Sequence, residues 1–206
     1  MKMLTATLVA VLAMSHLSFA AGTLTNNALL IASIRPQARD HHISLHSDSG
    51  MPVVELYAIS PEFRRLAAML TNTWQQSLDN IETLAPDAQS RLILLGALLF
   101  LPPEEYVKCL DHLLDLYQQK RIPRDEFLYV FWLPPRIENA WFLSFNYTHP
   151  QVIAFLKRAR ATFKDDKDMV SFTDFILSGH AKSRDQWQRR DDPALSEREV
   201  PLLPKP

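Results

Sequence analysis

Asp40-His41-His42-Ile43-Ser44-Leu45-His46-Ser47-Asp48 gathers three of the seven histidines between carboxylates. Imidazole and carboxylate groups are common ligands for transition metals, so His41, His42 and His46 are the candidate metal ligands of this chain. Spacing argues against a shared ion. Ile43 and Leu45 alternate with polar residues, the pattern of a half-buried strand. Such a strand puts Asp40, His42, Ser44, His46 and Asp48 on one face, with residues four apart separated by about 13 Å. A helix would bring His42 and His46 together, but the alternation favours a strand. The segment is read as a solvated strand face, and no cofactor is implied.

The second concentration is aromatic. Phe127, Tyr129, Phe131, Trp132, Trp141, Phe142, Phe145 and Tyr147 fall close together, interrupted by Pro134-Pro135-Arg136. Aromatic rings dominate both cores and binding hot spots. Trp132 and Trp141 flank an irregular loop, which makes Trp132, Arg136, Asn139 and Trp141 the candidate partner- or ligand-binding set. The plainer alternative is that the rings fill the core where helices meet.

Carboxylates Glu104, Glu105, Asp111 and Asp115, with His112 among them, could supply acid–base chemistry if they converged in a cleft with shifted pKa values. On an amphipathic helix they are more simply its wet side. Asn146-Tyr147-Thr148 matches a glycosylation acceptor. Cys109 is the one cysteine, so no internal disulfide can form, and it reads as a small apolar residue. Stability must come from packing.

Several chemistries are disfavoured. The four glycines, Gly22, Gly50, Gly96 and Gly179, are widely separated, whereas phosphate-cradling and dinucleotide-binding loops need them close together. The Gly-x-Ser-x-Gly elbow is also missing. A formal charge of −1 gives no field to steer the chain toward nucleic acid. Lys157, Arg158, Arg160 and Lys164 cluster, but Asp165, Asp166 and Asp168 follow, consistent with cations at a helix C-terminus.

The elements that must carry these groups follow from the apolar periodicity. Lys2, the apolar stretch Leu4 to Met14 and Ser18-Phe19-Ala20 have the layout of a secretory signal peptide cleaved after Ala20. Later apolar runs are too short to cross a membrane. Residues 21–59 are expected to be extended, with Ile43 to Leu45 and Val53 to Tyr57 forming a small β-hairpin around a turn at Ser47 to Gly50, and with Leu29 to Ile34 as a possible third strand.

Residues 60–179 are expected to form the helical domain. Ser60-Pro61-Glu62 opens a helix with Phe63, Leu66, Ala67, Leu70, Trp74, Leu78 and Ile81 on one face. A second runs from Pro86 to about Leu101, enclosed on all sides. A third starts near Pro103, with Tyr106, Val107, Leu110, Leu113, Leu114 and Tyr117 as its stripe. Phe127 to Leu133 fits a short buried helix or a strand, and the preceding Pro123-Arg124-Asp125-Glu126 favours the helix; one helix from Pro150 and a last one from Asp168 to Ser178 stopped by Gly179 complete the set. Charged and then proline-rich residues 180–206 are expected to be a disordered tail.

The resulting fold class is mainly α, a compact bundle of five to six helices preceded by a small hairpin. The functional expectation is an exported, soluble helical binding module whose partner is another envelope or extracellular protein. The alternative is an exported hydrolase with a site assembled from distant residues, metal-assisted through His41, His42 and His46.

Overall fold

The computed structural model describes residues 22, 24–43, 51–131, 143 and 146–179. These are helical, and there is no strand among them. The expected leader over 1–20, the turn at Ser47 to Gly50, His46, the four loop residues Trp132, Arg136, Asn139 and Trp141, and the tail over 180–206 all lie outside the described residues.

Nine helices follow in order among the described residues: α1 over 24–40, α2 Met51–Ile59, α3 Pro61–Asp79, α4 Ile81–Leu84, α5 Ala88–Leu98, α6 Pro103–Gln118, α7 Arg124–Phe131, α8 Pro150–Thr162 and α9 Lys167–Leu177. The starts are set by side chains that satisfy the free N–H groups of a first turn. Ser60 Oγ accepts from Phe63 N at 3.1 Å, with Pro61 preset at the first helical position. Asp166 Oδ1 accepts from Met169 N at 3.2 Å. Asp87 Oδ1 accepts from Ser90 N at 3.0 Å. This last cap starts α5 two residues later than the proline alone suggested. The same helix ends at Leu98, and three successive i→i+3 bonds carry the chain on to Leu101. Gly179 stops α9 at φ +76°, and the Tyr147 ring leaves no room for a Cβ there.

α5 lies at the centre, buried continuously from Leu92 to Leu98, and packs against α3 and α7. α6 packs on α3, α7 and α8, while α9 closes against α8. Within α3 the buried face is the expected stripe, Phe63, Leu66, Ala67, Leu70, Trp74 and Leu78, continued by Ile81 in α4. The short apolar run opening at Phe127 is helical through Phe131, as its Pro-Arg-Asp-Glu lead-in suggested.

The hairpin is overturned. Val53 to Tyr57 lie in α2, where Val53 and Leu56 are buried one turn apart, and Leu29 to Ile34 lie in α1. Val-Val-Glu-Leu-Tyr satisfies strand alternation and a single helical turn equally well, and burial in tertiary context outweighs β propensity. α1 buries Ile31, Ile34 and Ala38 in the same core as the later helices. Its polar anchor is Asn27, wholly buried, whose Nδ2 donates to Ser77 Oγ of α3 at 3.0 Å.

Candidate functional site

Of the strand face proposed for the histidines, Asp40 lies in α1 and His42 in the turn after it, while Ser44, His46 and Asp48 lie outside the described residues. His42 takes a left-handed backbone (φ 51°) in the turn that ends α1, and His41 Nδ1 sits 3.6 Å from Glu55 Oε2. Among the described residues no three His, Cys, Asp or Glu side chains converge as metal ligands. The aromatic cluster divides. Phe127, Tyr129 and Phe131 are core: Phe127 and Phe131 stack at 5.5 Å, Phe131 meets Phe155 edge-on, and Phe127 stacks on Phe163. Asn146 is only 5% exposed, so the acceptor motif at 146–148 is closed in the folded chain. Cys109 is fully buried, and burial pushes its thiol pKa up, which leaves it in the inert protonated form.

What the structure does assemble lies along α6. Tyr106, Val107, Cys109, Leu110, Leu113, Leu114 and Leu116 face inward. The polar residues left over, Glu105, Lys108, Asp111, His112 and Asp115, therefore line the two seams where α6 meets α3 and α8.

On the α3 side is an open cleft of about 530 Å³, lined by Thr71, Asn72, Trp74, Gln75, Gln76 and Asp79 of α3 and by Glu105 and Lys108 of α6. Trp74 forms the joint. The residue is 8% exposed, and its Nε1–H donates to Glu105 Oε2 at 2.9 Å. Lys108 Nζ donates to the other oxygen, Glu105 Oε1, at 2.7 Å. One turn on, His112 abuts the indole edge-on, with ring centroids 5.8 Å apart, and its Nε2 lies 2.9 Å from Asp79 Oδ1. Both oxygens of Glu105 are thus engaged, and the Lys108 and Trp74 hydrogen bonds hold its pKa below the ordinary glutamate value. At neutral pH Glu105 is a fixed anion, an acceptor rather than a proton donor.

No family model, no curated protein and no solved structure matches this chain. The functional reading therefore rests on geometry.

On the α8 side a smaller cleft of about 270 Å³ has Val107, Ala154 and Phe155 as its floor and Lys108, Asp111, Gln151 and Arg158 at its rim. Arg158 bridges the seam, donating to Asp111 Oδ1 at 2.8 Å, to Asp115 Oδ1 and to Gln118 Oε1. The basic cluster of α8 thus works across helices as well as at the helix end. Arg160, in the last turn, pairs with Asp174 of α9. Arg158, Asp111 and Asp115 of this seam are spent on one another, whereas Asn72 and Gln75 on the α3 side are exposed.

Two features escaped the sequence reading. Asn72, Gln75, Gln76 and Asp79 are the polar complement of the α3 stripe, visible as residue types but unremarkable until α6 is placed beside them. The other is Glu126, whose carboxylate lies within a buried seam with Arg91 Nη1 at 3.4 Å from both oxygens. Arg91 and Glu126 are 35 residues apart in the chain, so no local pattern pairs them.

Proposed function

We propose that this chain is an exported helical binding module that holds its ligand in the cleft between α3 and α6. The observation that carries this reading is Glu105, fixed as an anion between Trp74 and Lys108 at the wall of an open cleft lined with carboxamides. Donors and acceptors whose positions are set before a ligand arrives lose little entropy on binding, and a binding site benefits from that preorganisation. The leader pattern from Lys2 to Ala20 supports export. Among the described residues no helix is long and apolar enough to cross a membrane.

Two measurements test the two halves of this reading. Mass spectrometry of the chain recovered from its producing cells should give Ala21 as the first residue, and an exported chain retaining Met1 would overturn the cleaved leader. For the cleft, the purified chain is used to recover ligands from envelope extract, and the affinity of a recovered ligand is measured by calorimetry. Gln75→Ala combined with Glu105→Ala should weaken it at least ten-fold while the helical circular dichroism is retained. Unchanged affinity in that variant would place the binding surface elsewhere.

A further inference from the structure

We infer that the α3/α6 cleft takes a neutral, hydroxyl-rich chain, the chemistry of an oligosaccharide. This deepens the reading of the cleft as the binding surface and rests on it. Three features of the lining lead there.

The first is charge. The lining holds two carboxylates, Asp79 and Glu105, against one cation, Lys108, whose ammonium is already drawn to Glu105 at 2.7 Å. A phosphate, sulfate or carboxylate ligand would meet net negative charge and no free cation among these residues. The second is polarity. Seven of the eight lining residues are polar, and the eighth, Trp74, is almost wholly buried. Peptides bind through apolar anchors that fill pockets, and this cleft offers none.

The third is the arrangement of the hydrogen-bonding groups. Asn72, Gln75 and Gln76 each present a donor and an acceptor on one planar group. Together with Thr71 and Asp79 they recur at three- and four-residue steps along α3, on neighbouring turns of one face. From 71 to 79 this rail extends about 12 Å at the rise of an α-helix. That length suits a short oligomer better than a single ring. A hydroxyl is likewise donor and acceptor at once, so a run of vicinal hydroxyls complements such a rail without any charge. Because Trp74 is almost wholly buried and leaves no open ring face for stacking, hydrogen bonds must carry recognition. Affinity should then be modest and sensitive to hydroxyl stereochemistry.

Calorimetric titration of the purified chain with neutral hexasaccharides of glucose (β-1,4 and α-1,4 linked) and of N-acetylglucosamine tests the inference, with hexaglutamate, hexalysine and a neutral Gly-Ser hexapeptide as comparison probes. At least one oligosaccharide should bind saturably, with an affinity little changed between low and high salt, since a neutral ligand makes no ion pair to screen. Asn72→Ala and Gln75→Ala should each weaken it about five-fold, the scale of one lost hydrogen bond. Failure of every oligosaccharide overturns the ligand class. So does salt-sensitive binding of a charged peptide that the same substitutions weaken, although that outcome preserves the cleft as the binding surface. Oligosaccharide binding that neither substitution alters overturns the site itself.

Discussion

Arg91 and Arg158 each tie two helices together, and they do so at opposite ends of the solvent scale. Arg91 of α5 reaches Glu126 of α7 in a seam where the carboxylate side chain is 8% exposed. Arg158 of α8 reaches Asp111 and Asp115 of α6, whose side chains are 46% and 43% exposed. The shorter contacts are on the outside. Arg91 stands 3.4 Å from both Glu126 oxygens, with its Nε–H donating to Ala85 O at 3.2 Å. Contact distance is therefore a poor guide to energetic consequence. Removing water from a charge costs several kcal/mol, so a buried charge becomes expensive once its partner is gone, whereas an exposed one returns to solvent.

The sharpest way to break this comparison is to remove Arg91. Arg91→Met should cost about 3–5 kcal/mol in urea unfolding, because Glu126 is left buried without a partner. The double variant Arg91→Met/Glu126→Leu should recover most of that loss. A cost under about 1 kcal/mol for the single variant would show that water reaches the carboxylate.

The next largest effect is in the pH dependence. Burial raises the pKa of Glu126 above the ordinary glutamate value, and the smaller pull of Arg91 opposes the shift. The folded chain then holds this proton more tightly than the unfolded chain does. Stability from that source is complete below about 4.5, the unperturbed value, and is lost as pH rises through the raised folded value. Glu126→Gln, which carries no titrating proton, should flatten the decline of stability above that pH when unfolding is followed across the acid-to-neutral range. A parallel pH profile for the variant and the parent would refute the shift. The smallest effect belongs to the outer strap. Arg158→Ala should cost no more than about 1 kcal/mol, and less in high salt, when unfolding is followed at two ionic strengths.

The contrast also marks how much could be read from the sequence. α3, α6 and α8 were legible because a proline fixes each start and apolar residues return once per turn: Phe63, Leu66 and Leu70, then Tyr106, Leu110 and Leu113, then Val152 and Leu156. α2 was misread because five residues with two adjacent valines fit either period, and only the burial of Val53 and Leu56 on one side resolves them. The carboxylates of α6 were recognised as its wet side. Their partners were not, since Trp74 and Glu105 are 31 residues apart and Arg158 and Asp115 are 43 apart. Local chemistry writes the helices into the sequence, but which polar faces confront each other is decided by how the helices pack.

Asn27 has a consequence of a different kind. A helix resting on isoleucine and alanine alone could slide along its neighbour by a turn and still find grease to lie on. With its amide N–H keyed to the Ser77 hydroxyl in a sealed interface, α1 has one berth on α3, because any other seating strands that N–H away from water. A single polar side chain thus converts a slippery contact into an indexed one.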